Sequence, residues 1–150
     1  MKRLLIIVAG FSVGIGLTAG VAMTGTNTTP TVAKAPAKST ITIRHQMKGC
    51  HAWSVNGGPY RATQRTALAR GGTITFVDND VMPHKLVETS GPAVRYRSNP
   101  AMRHMSASVR VTFPKAGVYK VTTKAGEDYP GMAMKTIGED NVLRLTVKVA

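Results

Sequence analysis

The sequence predicts an all-β domain of about seven to eight strands, a sandwich or barrel, carried behind an N-terminal leader. Three observations predict it. Segments 41–45, 64–69, 73–77, 85–88, 108–113, 118–122 and 142–149 show period-two alternation or β-branched character. Turn-forming groups separate them: Gly57-Gly58-Pro59, Gly71-Gly72, Asp78-Asn79-Asp80, Ser90-Gly91-Pro92, Pro114-Lys115-Ala116-Gly117 and Pro130-Gly131. No stretch beyond the leader carries a helical apolar stripe, although 99–106 suits a short turn of helix. Short strands at this spacing over about 110 residues point to an antiparallel sandwich or barrel.

The last strand is the clearest of them. In Val142-Leu143-Arg144-Leu145-Thr146-Val147-Lys148-Val149, Arg144, Thr146 and Lys148 face water while Leu143, Leu145 and Val147 face the core. At 150 residues the chain has room for one ordinary domain plus a targeting segment, and its 43% hydrophobic content excludes wholesale disorder. The single cysteine excludes an internal disulfide.

The leader comprises residues 1–23. Lys2 and Arg3 precede a run of 20 residues, 4–23, with no ionisable side chain. A basic start before an apolar run is an export signal, because the positive end stays on the cytoplasmic side. The run is as long as a membrane span but is softened by Gly10, Gly14, Gly16 and Gly20, and the small residues up to Ala22 permit cleavage. A cleaved signal peptide and a retained membrane anchor both remain open. In either case the rest of the chain is periplasmic or extracellular, or tethered to the outer face of the cytoplasmic membrane. Residues 24–40, rich in Thr, Pro and Lys, read as a flexible linker, and the folded domain as 41–150.

The formal charge of +13 invites a nucleic-acid reading. Lys2, Arg3 and Lys34 belong to the leader and linker, and the remaining cations are scattered with no arginine-rich run. With aromatics at 5%, no base-stacking platform is assembled. Nucleic acid is therefore not an expected partner. A positive surface does favour encounter with an acidic protein or an anionic envelope surface.

Chemistry concentrates in loops. His45-Gln46-Met47-Lys48-Gly49-Cys50-His51 packs metal-binding side chains into seven residues after the first strand, and His84 follows Asp78-Asn79-Asp80-Val81-Met82-Pro83. Met132 and Met134 sit in a Pro-Gly turn, and Met102, His104 and Met105 form a looser group, read as a mobile loop. Thiolate, thioether and imidazole together suit copper more than zinc. Using both Cys50 and His51 requires a turn, since neighbouring side chains in a strand point apart, and Gly49 is placed to provide it. Bland readings compete: Cys50 as a buried small hydrophobe, Met132 and Met134 as core filling, Trp53 as packing, Asp78 and Asp80 as turn residues. No Ser–His–acid grouping or phosphate loop is present, so the chain does not read as an enzyme.

These motifs resemble those of the cupredoxin family, to which plastocyanin and pseudoazurin belong. Gly72-Thr73-Ile74-Thr75-Phe76-Val77-Asp78-Asn79-Asp80 followed by Met82-Pro83-His84 is similar to the family's strand and first copper ligand. Phe113-Pro114-Lys115-Ala116-Gly117-Val118-Tyr119 resembles its Phe-x-x-x-Gly-x-Tyr segment, and Pro130-Gly131-Met132 its Gly-Met with the weak axial thioether. The resemblance spans roughly 41–150 and implies a Greek-key sandwich, one copper ion cycling between Cu(I) and Cu(II), and His84 as a ligand. It also fails at one place. Thr123 stands at the family's cysteine position and Gly126 or Glu127 near its second histidine. A rearranged site replaces them: Cys50, His84, one or both of His51 and His45, and Met132, with Met47 and Met134 in reserve. The implied roles are electron transfer with an acidic redox partner, or capture and delivery of Cu(I) to a copper-transfer partner. A metal-free interaction module is the third possibility, and oligomeric state is left open.

Overall fold

The computed structural model describes residues 34–47, 49–124 and 142–150. In chain order its strands are β1 (Lys38–His45), β2 (His51–Val55), β3 (Thr63–Leu68), β4 (Thr73–Asn79) and β5 (His84–Ser90), then β6 (Arg95–Tyr96), β7 (Ala101–Met102), β8 (Ser108–Thr112), β9 (Gly117–Lys124) and β10 (Arg144–Val149). They form two five-stranded sheets, ordered β2-β1-β4-β8-β6 and β3-β10-β9-β5-β7. The protein is an all-β sandwich. None of the described residues is helical, so no described helix is long and apolar enough to cross a membrane.

All seven expected strands are present, with three more. β2 escapes notice because four consecutive residues, His51 to Ser54, are buried, which erases the alternation that marks a half-exposed strand. β6 and β7 have two residues each, too short for any pattern. The short helix suited to 99–106 is absent; Ala101 and Met102 pair with Lys85 and His84 instead. Met102, read as part of a mobile loop, is fully buried in the core. The sheets are also mixed, since β1 runs parallel to β4 and β10 parallel to β3.

Alternation builds the core. Ile41 and Ile43 of β1, Ile74 and Phe76 of β4, Val109 and Val111 of β8, Tyr119 and Val121 of β9, and Leu145, Val147 and Val149 of β10 all point between the sheets. Trp53, expected as a packing residue, is fully buried there. One end of this core is closed tightly. Phe113 and Tyr119 meet edge to face, 5.0 Å between centroids at 87°. The Tyr119 hydroxyl donates to Lys115 O at 2.7 Å and accepts from Lys115 N–H at 3.2 Å, a tyrosine-corner arrangement that ties the turn before β9 to the core. Gly91 sits against this ring at φ 121°, where an added Cβ would lie 2.8 Å from Tyr119 Cα. Only glycine fits.

Candidate metal centre

At the opposite end, the inward-facing rows of four strands change from apolar to polar. On β1 the row Ile41, Ile43 ends in His45; on β2 the row Val55, Trp53 ends in His51. On β4 Ile74 and Phe76 give way to Asp78, with Asp80 two residues beyond, and on β5 Leu86 is preceded by His84. His45 and His51 are register partners of the β1–β2 pair, so their side chains leave one face of the sheet together. His84 comes from the other sheet, and the cluster spans the gap between the two.

Asp80 is the centre of this group. His51 Nδ1 lies 2.7 Å from Asp80 Oδ2, His84 Nε2 3.4 Å from the same oxygen, and His45 Nδ1 3.7 Å from Oδ1. The His51 and His84 rings stand edge to face at 4.6 Å, and His45 and His51 at 6.4 Å. Ligand atoms of His45, His51 and Asp80 fall within 4.8 Å of one another, a spacing at which three side chains can hold a metal ion.

Burial makes the group chemically unusual. Asp80 and His84 are 0% exposed, whereas the His45 side chain is 49% exposed and forms the solvent side. Among the described residues, His84 Nδ1 has no partner, and Nε2 has only the long 3.4 Å contact to Asp80 Oδ2, which falls short of a well-formed hydrogen bond. Buried polar atoms are normally paired, because leaving one unpaired costs about 1–3 kcal/mol. The described residues thus leave the His84 imidazole short of a well-formed hydrogen bond, and a metal ion would satisfy it.

The two aspartates titrate in opposite directions. Burial is the largest influence on both and favours the neutral acid. For Asp78 burial prevails, and its carboxyl is pushed up to about 6, against weaker opposing effects from the Asp80 N–H and the His84 imidazole. Its Oδ1 accepts the Asp80 N–H at 3.0 Å, while the buried Oδ2 has no hydrogen-bond partner among the described residues and is the natural seat for a proton. For Asp80 burial is outweighed by the hydrogen bond from His51, the His84 imidazole 3.4 Å away and the Met82 N–H at 3.1 Å, which together hold the carboxyl below the usual range. Asp80 is therefore a carboxylate, and the imidazole nitrogen facing it at 2.7 Å is a donor.

The turn expected at Gly49 is present. Gly49 and Cys50 have φ of 71° and 52°, and the His51 N–H donates to Gly49 O, closing a γ-turn on Cys50. A non-glycine residue held at positive φ stores roughly 1–3 kcal/mol, a strain found mostly where side-chain placement matters. Here it lets the chain reverse within five residues and present His51 opposite His45.

Of the predicted site residues, the structure gathers His45, His51 and His84. Cys50 is half-buried on the turn beside His51 and is not one of the three residues whose ligand atoms share the 4.8 Å group. Met132 and Met134 lie outside the described residues, as do Gly126 and Glu127. Met47 is fully exposed on the same turn as Cys50. Thr123 lies near the end of β9, paired with Leu86 and thus close in register to His84. Asp80 was the residue sequence reasoning missed. As part of Asp78-Asn79-Asp80 it reads as a solvated turn, but the structure buries it at the heart of the cluster. The signal for it lies in the period-two row Ile74, Phe76, Asp78, Asp80, which carries both acids onto the core face.

Fold and site together define a β-sandwich with a buried histidine–carboxylate cluster at one end. No protein-family model matches the chain, and no curated protein does. Among solved structures it is similar to a purple cupredoxin from Nitrosopumilus maritimus, at 18% identity over 73% of this chain and 98% of that one, with a TM-score of 0.42. It is also similar to amicyanin from Paracoccus versutus (Thiobacillus versutus), at 19% identity over 74% of this chain and 81% of that one, with a TM-score of 0.39.

Proposed function

We propose that the chain is an exported electron-transfer protein that holds one copper ion at this end of the sandwich. His84, His51 and His45 supply imidazoles, Cys50 a thiolate and Met132 a weak thioether. The observation that carries the reading is His84, fully buried, with neither ring nitrogen in a well-formed hydrogen bond among the described residues, beside two further histidines and an ionised carboxylate. The donor set fits the metal, since imidazole, thiolate and thioether together favour copper. Bound there, copper supplies a one-electron Cu(I)/Cu(II) couple.

The chain's own residues do the rest. Asp80 accepts the His51 Nδ1–H, which fixes the tautomer and makes Nε2 the ligand atom, as carboxylates behind metal-bound histidines do. The β1–β2 register fixes His45 against His51, and burial of His84 excludes water from one side. Seating the three histidines on strands of two sheets would limit their movement between oxidation states, which suits electron transfer. The leader and the positive charge support export and an acidic partner, respectively.

Delivery of Cu(I) is the second reading. It is favoured by the half-exposed His45 and the fully exposed Met47, which offer a path from solvent to the cluster. Copper loading separates the readings. A stoichiometric ion with a strong visible thiolate-to-Cu(II) band that vanishes in Cys50→Ser supports electron transfer. Tight Cu(I) binding without that band supports delivery. No stoichiometric copper leaves a metal-free interaction module, and copper binding unchanged in His84→Ala overturns the site.

A further inference from the structure

The outer face of the first sheet carries two adjacent rows of side chains that the metal centre does not use. Thr40 of β1 pairs with Thr75 of β4, and Thr75 with Arg110 of β8. The Arg97 N–H bonds to Arg110 O at 2.9 Å, extending that row past β6. The neighbouring row is Lys38, Thr73, Thr112 and Arg95. All eight positions alternate with core-facing Ile41, Ile74, Phe76, Val109, Val111 and Tyr96, so they face away from the core. Four are cations, four are threonines, and none is an acid.

Arg97 and Arg110 stand directly opposite each other. Like charges in that relation destabilise an antiparallel pair. Among the described residues, no carboxylate lies within ion-pair distance of Lys38, Arg95, Arg97 or Arg110; the ion pairs present are those of histidines with Asp80. The second sheet also opposes two outward cations, Lys85 of β5 and Lys124 of β9, while elsewhere Thr146 separates Arg65 from Lys120 and Arg144 lies between Thr63 and Thr122. What sets the first sheet apart is that its opposed pair shares one cleft with a third cation and three threonines.

Lys38, Thr40, Thr73, Thr75, Arg97 and Arg110 line a cleft of about 250 Å³. Two guanidiniums supply paired N–H donors that match an oxyanion, the Lys38 ammonium adds charge, and the threonine hydroxyls add donors. Beside them, Thr112 Oγ1 is shielded from water and has no hydrogen-bond partner among the described residues. We propose that this cleft binds a phosphate group, clamped between Arg97 and Arg110. The group is either a free phosphate anion or the phosphate of an anionic lipid headgroup, which share the same recognition chemistry. The cleft is separate from the metal centre, since Thr75 and Asp80 are five residues apart along one strand direction, roughly 16 Å, and the cleft opens on the other face of the sheet.

The test is calorimetric titration of the full chain at constant ionic strength, with inorganic phosphate and with glycerophosphoglycerol, the soluble headgroup of an anionic lipid. Saturable one-site binding of either probe is expected, weakened at least tenfold in Arg97→Gln/Arg110→Gln and less than twofold in the control Arg65→Gln/Arg144→Gln. Tighter binding of glycerophosphoglycerol assigns the lipid headgroup, and tighter binding of inorganic phosphate the free anion; both sustain the site. Thermal melts give a second readout. Phosphate should raise the midpoint of the wild type and of the control, and leave that of Arg97→Gln/Arg110→Gln unmoved. The proposal is overturned if neither probe binds saturably, or if both double variants lose binding equally, which is the behaviour of diffuse charge. Copper content should be unchanged in either double variant, so failure here is distinguishable from failure of the metal centre.

Discussion

At one end of the sandwich Phe113 and Tyr119 meet edge to face, the tyrosine hydroxyl makes two hydrogen bonds with the Lys115 backbone, and Gly91 is fitted against the ring. At the other end the same inward-facing rows finish in His45, His51, Asp78, Asp80 and His84, and among the described residues three buried nitrogen or oxygen atoms of Asp78 and His84 lack a well-formed hydrogen bond. The strands are the same and the alternation is continuous. What differs is whether the polar groups are satisfied within the chain. The closed end is built for stability, whereas the polar end leaves stability unclaimed for a ligand to supply.

If that contrast is right, the largest loss of stability comes from the closed end. Phe113→Ala should destabilise by about 3–5 kcal/mol in chemical denaturation, because it removes a fully buried ring and leaves a cavity, while the folded fraction keeps its copper stoichiometry. Next comes copper itself. At a free concentration a hundred times its dissociation constant the ion should stabilise the wild type by about 2.7 kcal/mol. A chelator should reverse this, and His84→Leu should show no copper effect while its metal-free form melts no lower than the wild type. Tyr119→Phe, which loses the bonds to Lys115, should cost about 1–3 kcal/mol with no change in metal binding.

The smallest effect is a pH dependence at the polar end. Asp78 is raised from 3.8 to about 6 by burial, so the folded state holds its proton more tightly than the unfolded chain does. The stability it contributes is full below pH 3.8 and lost as pH rises through 6. Metal-free protein should therefore lose a few degrees of melting temperature between pH 5 and pH 7 from this group. Asp78→Asn, which keeps an uncharged side chain at all pH values, should flatten that slope. An unchanged slope would show that the proton is held elsewhere.

Legibility followed the same division. The strands were readable wherever one face was wet, as in β10, where Arg144 and Lys148 alternate with Leu145 and Val147. β2 was not, because burial on both faces hides the period that a sequence can display. His84, His51 and His45 could be picked out as imidazoles near turns, and Gly49 as the hinge between them. Asp80 could not be separated from a turn aspartate by type alone, since both roles use the same short acidic side chain. Its role depends on β1 running parallel beside β4, a long-range pairing that places His45 and His51 next to it. The opposed Arg97 and Arg110 were hidden for the same reason, as their adjacency comes from the pairing of β6 with β8.

The central claim is that the polar end holds copper through His84 and the Cys50 turn. Copper-edge X-ray absorption on the loaded protein, alongside Cys50→Ser and His84→Ala, tests it most directly. The expected wild-type spectrum contains imidazole scattering and sulfur in the first shell, with a short thiolate contribution lost in Cys50→Ser and copper itself lost in His84→Ala. A shell of oxygen and nitrogen only, identical in the wild type and both variants, would contradict the account.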